Sequence, residues 1–543
     1  MLKNIRKNSE RGQAIILVAA SIVGLVAIVG LMVDGGMLLI EYARLKRGID
    51  SASIAAAAQF RKPASAADAL ARGADMIAAA EEFLQFNQSI SSVSIHTCSY
   101  PGTPHDEVLC PPAIGPAARK LVRVTATRHV DFGFMRVIGL TGTDITTTAI
   151  GEAASIDMVL AIDTSASMAY ETTVGGNPNQ PDPANPADPI NYPGDDPEVC
   201  NAHLGDPTRR CEPMGKIKDV AVNFIDQLFF PYDRVALVAF TEQTPGGSRN
   251  VTVPVLSFND NQDASGNATT EIQTAVRGLK VLQLPRCPAD PSTYIGSCLF
   301  YDENDGHFIG IPCANKTWGN GDPSACGSSN FGGGLTLAGD QFGNGARQDS
   351  FWVVIALIGG PANATDPVSA EPYGYCPGRV DEPTWAWPDS PAGKGLGFCR
   401  DRDPMPGSYN AATYDPDTFN WTGYDWTTQT RHYINPVTHV AEALYDADDY
   451  ARDAADYITS PKTGQGAVLF TVCLGSYCRD YPSTDPASAE HLGQYMSLHA
   501  GDNLTVTPNI TANHGLYFYA VDTNALGGVF TKIAENIFTR ISQ

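Results

Sequence analysis

An uninterrupted apolar run over residues 158–162 stops at Asp163, and Ser165 and Ser167 follow at alternate positions. An apolar run of this length reads as a strand buried on both faces, the situation of a central strand in a parallel sheet. One carboxylate and two hydroxyls directly after it can turn three hard oxygens towards one point, which is what a magnesium-type ion requires. In an open parallel sheet, ligands sit beyond the carboxyl ends of the strands. The pattern therefore points to an α/β fold and to a place within it.

The 543 residues give room for two or three domains with ample core. Hydrophobic residues make up 43% and charged residues 17%, so most of the chain should be globular. A net charge of -23 argues against nucleic acid or anionic lipid as the main partner. The 51 glycines and 38 prolines concentrate in loops and forecast long insertions.

The 12 cysteines fall into sequential neighbours: Cys98/Cys110, Cys200/Cys211, Cys287/Cys298, Cys313/Cys326, Cys376/Cys399 and Cys473/Cys478. None has zinc-like Cys-x-x-Cys spacing, and all lie beyond an apolar N-terminal stretch. We expect local disulfides that staple loops in an oxidising compartment.

That stretch, residues 14–33, carries no charge and is long enough to cross a bilayer as a helix. Lys3, Arg6, Lys7 and Arg11 precede it, which keeps residues 1–13 cytoplasmic. Arg44, Lys46 and Arg47 pull the other way, and the cysteines decide the orientation. A cleaved signal peptide is the rival reading. The apolar core is long for one and no small-x-small site closes it, so an uncleaved single-pass anchor in the plasma membrane is expected. Asp34 then sits at headgroup level, and residues 37–60 continue the helix.

The residues Arg11-Gly-Gln-Ala, the apolar span and the stretch 44–57 resemble the N-terminal region of TadG-like proteins of the Tad (Flp) pilus-assembly system. Relatives of that family are pilin-like and are cut after a glycine, with a glutamate five residues on. Gly12 would be the glycine, and Leu17 stands where the glutamate belongs, which counts against processing. The resemblance implies pilus-assembly or other surface proteins as partners.

Residues 34–155 read as a helical extension followed by a small α+β stalk. A helix is expected over 66–86 and strands over 91–96, 120–129 and 143–154, with Val122, Val124 and Ala126 on one face. His96, His105 and His129 lack metal-ligand spacing. From 156 onward strands and helices alternate. Strands are expected over 156–162, 234–240, 350–358, 467–473 and 516–520, with 251–258 as an antiparallel edge. Helices are expected over 216–229, 271–282, 335–342, 440–458, 490–498 and 524–541.

This succession, together with residues 233–240, 330–338 and 515–520, resembles a von Willebrand factor A (vWA) domain over 156–543. The resemblance implies a Rossmann-like, mostly parallel sheet with helices on both faces, preceded here by a transmembrane helix and the stalk. Four insertions interrupt it near 170–213, 284–326, 364–437 and 474–487, each holding cysteine pairs. In the family a metal ion is held by the Asp-x-Ser-x-Ser loop, a second-loop threonine and a third-loop aspartate. Asp163, Ser165 and Ser167 match the first loop and Ser329 takes the threonine's place. Gly359 replaces the third-loop aspartate, so Mg²⁺ or Ca²⁺ is expected to bind weakly. Two alternatives stay open: Asp163 positions its loop by accepting backbone N–H groups, or Glu242 substitutes as the acid.

Other features read as structural. The run Asp302 to Gly306 is a turn, Asp446, Asp448, Asp449 and Asp453 form a solvated helix face, and Trp385, Trp387, Trp421 and Trp426 form a small core or a binding surface in the third insertion. No nucleophile-and-base motif is present, and no catalytic residue or small-molecule substrate is expected. The expected function is protein–protein binding or adhesion by a membrane-anchored, extracytoplasmic vWA protein of the Tad/Flp type. The alternative is a surface adhesin unrelated to pili.

Overall fold

The computed structural model describes residues 5–541, apart from 110–118, 170–194, 242–251, 288–298, 311–328, 367–413, 422–431, 479–488, 503–511 and scattered shorter runs. The chain divides into two compact units, residues 1–154 and 155–541.

The first unit is built on α1 (Ile5–Ala57), one continuous helix of 53 residues. Among the described residues it is the one helix long and apolar enough to cross a membrane. Ile15, Leu17, Val23 and Leu25 are all more than half exposed, whereas Leu45, Ile49, Ala52 and Ala56 are fully buried. The second set recurs at three- and four-residue intervals, the stripe of a helix that packs on a core. It meets α2 (Ala66–Asn87) and a three-stranded antiparallel sheet in the order β1 (Ser92–Thr97), β2 (Lys120–Asp131), β3 (Gly142–Ala153). Val122, Val124 and Ala126 share the buried face of β2, as their alternation predicts. Asp34 is 1% exposed and turned onto the chain's own backbone.

The second unit holds a six-stranded sheet. In chain order its strands are β4 (Ile156–Asp163), β5 (Arg234–Phe240) and β6 (Thr252–Asn259), then, past the hairpin of β7 (Phe300–Tyr301) and β8 (Phe308–Gly310), β9 (Phe351–Ile358). Past a second short pair, β10 (Tyr414–Asp415) and β11 (Asn420–Trp421), come β12 (Val468–Leu474) and β13 (His514–Ala520). Their spatial order is β13-β12-β9-β4-β5-β6. Neighbours are parallel except β5 and β6. Pro254 lies in β6, where an edge strand tolerates a missing N–H. Counted along the chain, this is the doubly wound order 3-2-1-4-5-6, and direction reverses between β4 and β9.

Both faces are covered, which is why the central strands are apolar without alternation. Met158, Leu160 and Ile162 pack under α4 (Met214–Ile225), α5 (Glu271–Arg277) and the helix Leu526–Ile541. Val159 and Ala161 pack under α6 (Phe331–Gly345), α7 (Ala447–Thr459) and the helix Ala489–Leu498. The short α3 (Pro197–Ala202) lies within the first insertion, capped by Asp196.

Three expectations need correction. The helix expected over 271–282 ends at Arg277, because Gly278 closes it and the chain turns to bury Leu279 and Val281. The helix expected over 440–458 begins only at Ala447. Residues before it form a tight reversal, with Asn435 N–H donating to Val440 O and Glu442 N–H to Tyr433 O. The acidic residues of that helix are not a solvated face: Asp448 and Asp449 are 6% and 3% exposed. Asp448 pairs with Arg452 at 2.9 Å, and Asp453 accepts from the Tyr445 hydroxyl. Asp446 lies outside the described residues.

Cys200 bonds Cys211 and Cys473 bonds Cys478, with Cα separations of 5.3 and 5.6 Å. Cys98 and Cys287 are also disulfide-bonded, to cysteines outside the described residues. Trp385, Trp387 and Trp426 lie outside them too, and of Trp421 only the backbone is described.

Candidate functional site

Asp163 is the last residue of β4, so it stands at the carboxyl rim of the sheet, beside the crevice where winding reverses towards β9. The loop after it is pinned to the next strand: Thr164 donates its N–H and its hydroxyl to Phe240 O, at 2.8 and 3.0 Å. A 3-10 turn over Ala166–Ala169 follows. The second loop arrives through Asn330, whose N–H donates to Thr241 O at 3.1 Å and whose side chain caps α6 by accepting from Gly333 N–H.

These contacts bring Ser329 onto Asp163, the hydroxyl donating to Oδ2 at 2.8 Å across 166 residues of sequence. Ser165 N–H donates to Oδ1 at 2.8 Å, and the Ser165 hydroxyl and Gly359 N–H donate as well. Of the four residues expected at the site, Asp163, Ser165 and Ser329 are together; the side chain of Ser167 lies outside the described residues, as does Glu242. The run from Asp302 forms a hairpin turn, Gly306 N–H donating to Asp302 O.

The electrostatics are unusual. Asp163 is 0% exposed, and among the described residues every donor to it is a hydroxyl or a backbone N–H. Burial pushes its carboxyl up, to about 6, and the donors only partly offset this. A buried acid held by neutral groups is one that a cation would compensate. The donor set fits a hard divalent ion: Asp163, Ser165 and Ser329 would hold it, leaving its remaining positions to water or to a partner's oxygen. It equally fits a loop-positioning role for Asp163, since its oxygens accept backbone N–H groups.

Sequence reading missed a second acid. Asp366 accepts from Asn330 Nδ2 at 2.7 Å and from the Tyr450 hydroxyl at 3.1 Å, and burial pushes its carboxyl up. Consecutive residues Ser329 and Asn330 thus each hold one carboxylate. The glycines 332–334 make this approach feasible, since Cβ atoms there would fall 2.2–2.5 Å from Tyr450, Asp366 and Phe240. The glycine triplet was the available signal. Nothing local marked Asp366, which lies seven residues past Gly359 in an irregular stretch.

Gly359 itself faces the site. A Cβ there would lie 3.8 Å from Asp163 Oδ2 and 2.2 Å from Met168 Cε, the movable end of a flexible side chain. Gly359→Asp should therefore add a charge on the same centre and tighten Mg²⁺ binding by tenfold or more, about 1.4 kcal/mol. Titration calorimetry checks this, and an unchanged affinity means that the third loop does not serve an ion.

No protein-family model matches the chain, and no curated protein matches it. Among solved structures, the PilB minor pilin from Streptococcus sanguinis is similar at 13% identity and TM-score 0.34, over 83% of this chain and 78% of that one. The vWF domain of the type V pili tip protein Mfa5 from Porphyromonas gingivalis is similar at 14% identity and TM-score 0.31, over 72% and 97%. The pilus adhesin SpaC from Lactobacillus rhamnosus GG is similar at 12% identity and TM-score 0.33, over 78% and 33%. Likenesses of this size carry no argument about function, and the fold assignment stands on the strand order.

Proposed function

We propose that the chain is a membrane-tethered, extracytoplasmic binding protein of the Tad pilus-assembly type, whose vWA-type domain engages a partner protein at the carboxyl rim around Asp163. The buried Asp163–Ser329 pair at the winding reversal carries this reading, because it is a costly arrangement with no role in packing the core. The site offers coordination and hydrogen bonding, and we read it as binding rather than turnover.

The insertions support the same rim as the contact surface. Three of them follow the carboxyl ends of β4, β9 and β12, and the fourth leads into the amino end of α6, whose cap Asn330 belongs to the site. Two disulfides staple chain at this rim, Cys200–Cys211 and Cys473–Cys478. Stapled loops on a rigid sheet are what a recognition surface needs. The same loops favour the second reading, an adhesin unrelated to pili.

Gene deletion separates the two. Loss of surface filaments supports the assembly role, whereas intact filaments with lost attachment support the adhesin. Complementation with Asp163→Ala should reproduce the deletion phenotype while the protein accumulates normally in membranes. Full rescue by Asp163→Ala would exclude the rim site from either role.

A further inference from the structure

The connection between β2 and β3 is unlike a solvent loop. Its tip exposes Phe134, Val137 and Leu140 at 50%, 88% and 48%. Three backbone N–H groups at the tip, of Gly133, Phe134 and Met135, donate to the carboxylate of Asp34 on α1, at 2.7–3.2 Å. The single 3-10 turn Met135–Ile138 is closed by Gly139 at φ 91°, whose N–H returns to Arg136 O. The three amides that open the turn are therefore satisfied by protein, while apolar side chains face outward.

Its height along α1 is fixed by two contacts. At the tip, a Cβ on Gly30 would fall 2.7 Å from Phe134 Cβ, so only glycine lets the hairpin lie there. Gly30 is inside the apolar stretch 14–33, roughly 6 Å of helix short of Asp34. Higher up, Arg128 on β2 pairs with Glu41 on α1 at 2.7 Å. Between these levels Met37, Leu39 and Ile40 are 48%, 70% and 54% exposed. The helix thus leaves the apolar zone at Glu41, whereas the hairpin leaves it nearer the tip, at Asp131, whose side chain is 71% exposed.

From residue 14 to residue 40 the helix is about 40 Å long, which exceeds the roughly 30 Å hydrocarbon core and matches a bilayer with its interfaces. We propose that the β2–β3 tip is a second membrane contact: Phe134, Val137 and Leu140 enter the outer leaflet of the bilayer that α1 crosses. Inside a bilayer, backbone N–H groups must be satisfied by protein, and Asp34 does this for the three that open the turn. Arg136, exposed at the tip and 3.5 Å from Asp131, has the reach to place its guanidinium at headgroup level. The apolar patch is continuous with the lipid-facing side of α1, which selects lipid over a separate protein partner. The inference rests on α1 being a membrane span, and it makes the stalk a two-point mount on the bilayer.

The test uses the full chain in phosphatidylcholine vesicles containing lipids brominated near the headgroup or near the bilayer centre. All six native tryptophans lie at or beyond Trp318, so the emission added by Val137→Trp or Leu25→Trp is read against the parent. Val137→Trp should lose most of its added emission to the shallow bromines and Leu25→Trp to the deep ones. Asp34→Asn should reduce the Val137→Trp quenching and leave that of Leu25→Trp intact. An unquenched Val137→Trp beside a quenched Leu25→Trp overturns the proposal and keeps the span; a blue shift without quenching in that case assigns the patch to a protein contact. If neither probe is quenched, the span reading fails and the second contact falls with it.

Discussion

Replacing Asp157 by Ala should lower the unfolding free energy of the α/β unit by ~3–5 kcal/mol, the cost of breaking a buried charge cluster by removing one partner. Asp157 is fully buried at the start of β4, at the end of the sheet opposite Asp163. Its carboxylate accepts from Arg234 at 3.0 and 2.5 Å and from the Arg347 guanidinium and N–H, both at 2.7 Å. The side chains of Arg234 and Arg347 are only 9% and 16% exposed, so removing the acid strands two guanidiniums. Burial alone would push the carboxyl up, but the arginine donors outweigh it and hold it below the ordinary carboxylate range. The folded value being the lower one, this stabilisation is complete above the ordinary value of 3.8 and is lost as pH falls through the folded one. Denaturant midpoints should therefore differ most near neutrality and converge in acid. Equal midpoints at neutral pH would sink the assignment of this cluster as a stabilising one.

That cluster shows what single-sequence reading misses. An acid inside an apolar strand reads as a blemish until its partners are known. Arg234 is its register neighbour on β5, and Arg347 precedes β9, so the three meet only once β4 lies between those strands. The strands themselves were legible, because a doubly covered sheet demands apolar runs, and each expected strand start or end lies within two residues of the observed one. Helix ends were less so. Periodicity over 271–282 continues past Gly278 although the chain no longer does, since Leu279 and Val281 are buried from a loop.

The candidate site was half legible for a related reason. Asp163 and Ser165 share one loop, so spacing reveals them. Ser329 was found by resemblance, and its bond to Asp163 depends on the strand order. Asp366 has no signature at all, because its donors Asn330 and Tyr450 come from α6's cap and from α7. Asp34 was visible, but its partners were not. A carboxylate at the end of an apolar span suggests a headgroup, and only the hairpin a hundred residues later supplies the N–H groups it holds.

Asp163→Asn should stabilise the metal-free protein at neutral pH by up to about 3 kcal/mol. The carboxyl titrates at about 6 when folded, against an ordinary value of 3.8, because burial disfavours the charged form. A raised folded value means that the native state binds the proton more tightly. The stability this confers is present below 3.8, declines as pH rises towards about 6, and is absent above it. At about 1.4 kcal/mol per pH unit, the difference amounts to about 3 kcal/mol. An asparagine keeps an oxygen for Ser165 N–H, and the Ser329 hydroxyl can reverse to accept from its amide. The parent should therefore gain stability on acidification from neutral pH to about pH 5, as far as other groups allow, while the variant lacks this component. Saturating Mg²⁺ should close the gap from the other side, since an ion at a hundredfold over its Kd adds about 2.7 kcal/mol to the parent and little to the variant. Thermal unfolding across pH, with and without Mg²⁺, reads all of this. A variant less stable than the parent at neutral pH would make Asp163 a structural loop anchor. The predicted order instead marks a group kept charged against the interest of the fold, and such a group is retained for what it binds.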